Sequence, residues 1–361
     1  MKLKDEQLLA WWRFSKLPGV GNVSLNTLRS KLEQPTDLAS LSTSELVDLG
    51  LSSSLVQQYV TDHSLSQGFE LLKNWCQRPN AGVLLFGVAP YPEELASLPD
   101  APMILYYQGD LNCLAKAKIA MVGSRNATPY AVDWVKRTAA ELASQGVVVV
   151  SGLALGIDGA AHYGALETGS TIAVLGCGID VIYPARHKHL AQSIVQQGLL
   201  LSEFLPGTKP EPRNFPSRNR IVSGLSTGVV VVEAALKSGS LITAKLAADQ
   251  GREVMALPGA VTNPLSHGCH QLIRDGAALV QNATEILEAV NLFTGAQASL
   301  FAEQSQPPAP ALLRFIDYTT TAVDSIAIRS GKSMSELLPE LLELELAGWL
   351  QQVPNGYQRI K

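Results

Sequence analysis

The run Ile119-Ala-Met-Val-Gly-Ser-Arg-Asn126 and, one helix length later, the run Val147-Val-Val-Val-Ser-Gly-Leu-Ala-Leu-Gly-Ile-Asp158 decide how this chain reads. Each is a short apolar stretch that ends in small residues and then opens into a segment of helical length. The apolar residues are continuous rather than alternating, as in strands covered on both faces. The same pattern recurs at 83–86, 104–107, 172–175, 199–201, 229–232 and 254–257, with helix-length segments such as 129–145 and 240–250 between them. This βαβ rhythm predicts an α/β fold with an extended, Rossmann-like, mostly parallel sheet and right-handed crossovers. In such sheets ligands bind beyond the carboxyl ends of the strands, so the residues after each strand carry the functional reading.

Outward from this core the chain divides into four parts. Residues 1–78 read as a helical domain, 79–292 as the sheet domain, 293–310 as a linker carrying Gln306-Pro-Pro-Ala-Pro310, and 311–361 as a small helical domain ending in a hairpin. The 361 residues are 46% hydrophobic and 17% charged, which predicts a large buried core and excludes disorder. No signal peptide is read at the start, and no apolar run reaches the roughly 18 residues of a membrane span. Cys76, Cys113, Cys177 and Cys269 lack disulfide or metal spacing, so the chain is expected to be reduced and cytoplasmic. His187-x-His189 and His267-Gly-Cys-His270 read as ordinary loop histidines, with no metal and no cofactor expected. A net charge of −4 removes any whole-chain electrostatic case for nucleic acid, so a polyanion would need a local basic patch.

Several loops after strands are suited to such a patch. Gly123-Ser124-Arg125 opens a helix, where free amides and a guanidinium favour phosphate. Asp158 and His162 share a helix face; mutual structural hydrogen bonding or capping is the expected role, ahead of acid–base chemistry. Gly176-Cys-Gly-Ile-Asp-Val-Ile-Tyr183-Pro184 leads into a basic stretch at 186–189. Ser238-Gly239-Ser240, followed by Thr243, forms a turn suited either to phosphate or to ordinary N-capping. Neither the dinucleotide fingerprint nor the P-loop is present. Small-residue loops at one sheet edge without either motif predict an extended polyanion rather than a single nucleotide. In Lys209-Pro-Glu-Pro-Arg213-Asn-Phe215-Pro-Ser-Arg218-Asn219-Arg220, four cations surround one phenylalanine and prolines are expected to keep the backbone extended. Cations for phosphates and a ring for a base suit single-stranded nucleic acid. A buried Phe215 would drag desolvated guanidinium groups inward, so the ring is expected in the groove.

Met121-Val-Gly-Ser-Arg125, Ser151-Gly-Leu-Ala-Leu-Gly-Ile-Asp158, Phe215-Pro-Ser-Arg-Asn-Arg220, Ser238-Gly-Ser-Leu-Ile-Thr243-Ala and Pro258-Gly259 together resemble the DprA/Smf family of DNA-processing proteins, in order over about residues 80–290. The resemblance implies single-stranded DNA binding without catalysis, homodimerisation, and loading of the RecA recombinase during natural transformation. It places Arg125 and 213–220 along the DNA groove, and Lys188 where relatives also carry a basic residue. Where many members have asparagine, this chain has His270. Leu272 and Ile273, near the sheet edge, are the expected self-association contacts.

The flanks are less specific. Leu17-Pro-Gly-Val-Gly21 is similar to a helix-hairpin-helix motif in a SAM-like domain, but residues 1–78 hold eight basic and eight acidic side chains. The C-terminal part resembles a winged helix. Its helix at 335–346 is expected to set Leu337, Leu338, Leu341 and Leu342 on one side, opposite Glu336, Glu340 and Glu343. An acidic outer face predicts a protein-contact or regulatory module rather than a DNA reader. The alternative reading is a nucleotide-processing enzyme resembling the lysine-decarboxylase-like phosphoribohydrolases. It is disfavoured because their Pro-Gly-Gly-x-Gly-Thr motif is replaced by Lys237-Ser-Gly-Ser-Leu-Ile-Thr243.

Overall fold

Strands that are apolar on both faces need cover on both sides, and a computed structural model, which describes residues 5–66, 68–292 and 310–360, supplies it. Along β3 (Lys118–Gly123), Ile119 and Met121 join the cluster made with α7 (Pro129–Ser144) and α8 (Ile157–Thr168). Ala120 and Val122 point the opposite way, into the cluster holding Ile221 and Val222 of α10 (Asn214–Gly224) and Ala244 and Ala247 of α11 (Gly239–Asp249). This two-residue alternation between two helical layers explains why the run contains no polar positions.

The remaining strands are β1 (Ala81–Leu85), β2 (Ile104–Gly109), β4 (Val148–Ser151), β5 (Thr171–Leu175), β6 (Leu199–Ser202), β7 (Gly228–Val232), β8 (Glu253–Ala256) and β9 (Ala278–Leu279). They form one sheet in the order β1-β2-β6-β5-β4-β3-β7-β8-β9. All pairings from β6 to β9 are parallel, with Ile119 opposite Val149 on one side and Gly228 on the other. The strands at 83–86 and 104–107 form an antiparallel flap, β2 pairing antiparallel with β6 and β1 with β2. The chain steps outward from β3 through β4, β5 and β6, then crosses back to β7, so the winding reverses between β3 and β7.

The N-terminal helices run from α1 (Asp5–Ser15) through α2 (Asn22–Arg29), α3 (Thr43–Asp48) and α4 (Ser53–Thr61) to α5 (Phe69–Cys76). Trp11, Trp12, Phe14 and Trp75 are almost completely buried. They share a cluster with Leu85, Met103, Ile104 and Leu200, so these helices cover the flap end of the sheet. By contrast, the core of the C-terminal part contains only its own residues, Leu312 to Tyr357. It comprises α14 (Val323–Ser330), α15 (Met334–Leu346) and the hairpin β10 (Leu350–Val353) and β11 (Gly356–Arg359), with Asn355 at φ 74° in its turn. The linker at 293–310 falls almost wholly outside the described residues.

One expectation is corrected here. The prolines near 210–216 do not hold the segment extended through Arg220, because α10 starts at Asn214. Pro216 lies in its first turn, where an amide has no intrahelical partner and a missing N–H costs little.

Candidate nucleic-acid interface

The loops after β3, β4 and β5 converge on the first turn of α10. Arg218 is the pin. Its side chain is 4% exposed and donates to the Val174 carbonyl of β5 at 2.6 Å. Its guanidinium fills the space beside Gly152, where any side chain would collide with it. Asp158 accepts from the amides of Gly152 (3.1 Å) and Ala154 (3.4 Å), so it ties the loop after β4 to the start of α8. Burial pushes the Asp158 carboxyl up and Arg218 opposes that; burial likewise lowers Arg218, which Asp158 opposes. The pair is internal scaffolding.

His162 is equally internal. Its Nδ1 lies 2.7 Å from Thr171 Oγ1, and that hydroxyl donates its own proton to the Val149 carbonyl. The oxygen can therefore only accept, which fixes the proton on Nδ1 and leaves Nε2 a bare, buried lone pair. Burial, then His187 and Arg218, lower its pKa to about 3. The ring thus stays neutral, and no hydrogen bond joins it to Asp158 among the described residues. His187 bonds the Leu153 carbonyl at 2.9 Å, linking the loops after β4 and β5. Asp158 is structural, but it neither bonds His162 nor caps α8: its partners are amides of the loop before the helix, and the N-cap residue, Gly156, has no side-chain cap bond.

On this scaffold sits a partly exposed group. The Phe215 ring is half-buried and lies against Gly176, where an added Cβ would stand 2.8 Å from it. Tyr183 leans on it at 5.7 Å between centroids and is 48% exposed. The Arg125 guanidinium lies 5.8 Å from the Phe215 centroid, is exposed, and forms no ion pair among the described residues. Lys188, the first residue of α9 (Lys188–Gln197), and Arg186 are exposed beyond Tyr183 in the same loop. Arg213 is 82% exposed and bridged only to Glu211 at 2.7 Å, a surface pair that contributes little. Four exposed cations and two rings therefore share the neighbourhood of one sheet edge, and of those cations only Arg213 is ion-paired among the described residues.

Other expected site residues are placed differently. Arg220 is buried and paired with Asp100 (2.9 Å) and Glu203 (2.7 Å), and Glu203 also accepts from Asn22 of α2 at 2.5 Å. Its charge is spent joining the sheet to the N-terminal helices. The expectation that solvated arginines would hold the Phe215 ring out in the groove therefore fails in part: Arg218 and Arg220 are desolvated and compensated from within, and the ring is half-buried. Asn219 is half-buried. Gly123 is required by packing, since a side chain there would strike the Val232 carbonyl and Ile157. The Ser124 hydroxyl accepts from the Asn126 amide at 3.1 Å. Ser238 and Ser240 bond each other at 2.6 Å, Ser240 and Thr243 are buried, and Gly239 alone in that turn is open on the side a Cβ would occupy. Leu272 and Ile273, on α12 (His267–Arg274), are partly buried against the core, while Leu279 of edge strand β9 is 48% exposed. Sequence reasoning did not assign Tyr183; the available signal was an aromatic between a glycine-rich loop and a basic stretch.

The crevice where the winding reverses, the usual ligand position in such sheets, is closed to phosphate. The Glu233 carboxylate accepts from the Thr128 amide (2.8 Å), the Thr128 hydroxyl (2.7 Å) and Asn263 (3.1 Å). It therefore occupies the anion position at the entrance of α7. A cavity of about 980 Å³ lies beside it, towards the C-terminal part, and its charged lining is Glu233 and Asp317. An acidic lining repels a polyanion, so the larger opening is the less suitable one for DNA.

Comparison with known proteins agrees with this geometry. The family described as DNA recombination-mediator protein A matches residues 82–291, and the DprA winged helix domain matches 296–356. The chain is 45% identical to Protein Smf of Escherichia coli K12 over 297 residues, 80% of this chain and 79% of that protein. It is 46% identical to the DNA processing protein DprA of Streptococcus pneumoniae over 55% of this chain and 70% of the relative. The X-ray structure of the S. pneumoniae protein superposes with a TM-score of 0.67 at 36% identity, over 80% of this chain and 98% of that one. A Helicobacter pylori DNA processing protein A, whose structure is described for its single-stranded DNA binding mode, gives 0.53 at 35% identity over 57% and 94%. The chain belongs to the DprA/Smf family of DNA-processing proteins, with an α/β Rossmann-like sheet domain and a C-terminal winged helix.

Proposed function

We propose that the protein binds single-stranded DNA across the loops after β3, β4 and β5, without chemistry. Arg125, Lys188 and Arg213 hold phosphates while Tyr183 and Phe215 offer ring faces to bases. The observation that carries this is the exposed Tyr183 beside Phe215 and an ion-pair-free Arg125. Stacking needs unpaired bases, so a duplex would not satisfy the rings. The nearby Asp158, His162 and Arg218 are buried and held by internal contacts rather than presented to a ligand, and Glu233 fills the phosphate position at α7, which argues against a nucleotide-cleaving enzyme.

By the family's example, the bound strand would be protected and passed to RecA during transformation and recombination in the cytoplasm. Among the described residues, no helix is long and apolar enough to cross a membrane. We read parts 1–78, 79–292 and 311–361 as separate domains, and a homodimer as forming through α12 and the β9 edge, with Leu272, Ile273 and Leu279 at or under the contact. Titrating labelled single-stranded and duplex oligonucleotides of the same sequence tests the reading. At least about tenfold preference for the single strand is expected. Equal affinity, or product release from a panel of nucleoside monophosphates, would defeat it.

A further inference from the structure

The winged helix carries a surface feature that nothing in DNA binding uses. Along α15, Leu337, Leu341 and Leu344 are buried in the domain's own core. Met334, Leu338, Leu342 and Leu346 recur every fourth residue and are 43%, 48%, 53% and 81% exposed. Sequence periodicity grouped Leu338 and Leu342 with the core leucines. At about 100° per residue they instead lie on an adjoining arc, turned out to water. A single exposed leucine needs no explanation, but three leucines and a methionine in one stripe along a helix do.

We propose that this stripe is a docking surface for a basic amphipathic helix of another protein. The four positions span the 13 residues of α15, about 18 Å of helix axis, the length of roughly three turns of a partner helix. The chemistry beside the stripe selects the sign of the partner. At about 100° per residue the half-buried Glu345 falls within the arc of the stripe and the exposed Glu343 borders it at Leu346, while Glu336 lies farther round the helix. Of the described cations beside the start of α15, Lys332 pairs with Glu340, and Arg329 with Asp317 at 2.7 Å. The flank is therefore acidic, and a partner with leucine-type anchors and flanking Lys or Arg satisfies both its apolar and its charged parts. Other occupants fit less well. A second copy would bring its own glutamates along the same seam, like charge against like. Duplex DNA would meet carboxylates and leucines where phosphates and base edges need donors. An anionic membrane would be repelled in the same way.

The test uses the full chain and a fluorescent synthetic 18-residue helix with leucines on one face and lysines beside them. A matched peptide with glutamates in place of the lysines is the control, and Leu338→Ser/Leu342→Ser is the variant. Both leucines are exposed, so the variant should melt with the parent. Saturable binding of the lysine peptide is expected, at least about tenfold weaker for the glutamate peptide and for the variant, with single-stranded DNA affinity unchanged. The proposal is overturned if the variant binds the lysine peptide as the parent does, or if both peptides bind alike. It is also overturned if light scattering shows self-association that the variant abolishes, or if the parent but not the variant co-sediments with phosphatidylcholine vesicles.

Discussion

Two helices of this protein invite a reading as nucleic-acid contacts, and they differ in instructive ways. α10 carries Arg218 and Arg220 beside Phe215, yet both arginines are buried and compensated, by Val174 and Asp158 in one case and by Asp100 and Glu203 in the other. The cations that remain free belong to loops around it, Arg125 and Lys188, and the most open ring is Tyr183. α15 holds the position of a recognition helix, but shows leucines and glutamates to water. The lesson is that charge in a sequence becomes charge on a surface only after internal pairing has been subtracted. Scaffold arginines and contact arginines cannot be told apart by counting.

Substitutions sharpen this contrast. The largest effect is expected at Arg218. Arg218→Ala removes the bond to the Val174 carbonyl, empties the space beside Gly152 and takes a compensating charge from the buried Asp158, and should cost about 2–5 kcal/mol of stability. Chemical denaturation measures it, and a variant of parental stability that had merely lost DNA would move Arg218 to the contact group. Tyr183→Ala should cost about 1–3 kcal/mol of single-strand affinity while leaving the melting temperature in place. Phe215→Ala should lower both, because its ring also packs on Gly176; a loss of affinity alone would mean that the floor role is mistaken. Arg125→Ala should weaken binding by about 1 kcal/mol, since the group is exposed, and reduce the slope of log K against log salt by about 0.7, one phosphate's worth. An unchanged slope would make Arg125 a structural cap over the ring. The smallest effect belongs to the other side of the comparison. A chain ending at residue 292 should keep its single-strand affinity and salt slope, and a substantial drop in either would restore the winged helix as a DNA contact.

Much of this was legible in advance. The strands at 119–122, 147–150, 172–175 and 229–232 are recognisable because strands covered on both faces carry no polar positions, and their loops necessarily fall at one sheet edge. The short β9 and the antiparallel direction of β1 and β2 leave no such signature, since both depend on what packs alongside. At the site, Arg125 and Phe215 could be picked out from local context, and Lys188 from the family resemblance. Arg218 and Arg220 could not be separated from them, because their partners Val174, Asp158, Asp100 and Glu203 are distant in sequence. Tyr183 became visible only when the loop after β5 was placed beside α10. On α15, periodicity gave an apolar face but not how much of it the small domain could cover.

The single strand is expected on the loops after β3, β4 and β5 and not on the winged helix. Photo-crosslinking the full chain to an oligonucleotide carrying 5-iododeoxyuridine, with the attached peptide mapped by mass spectrometry, tests it directly. Crosslinks should fall on the peptides containing Tyr183 and Phe215 and disappear when unlabelled single strand competes. Competed crosslinks concentrated in 334–346, with none in 176–220, would contradict it.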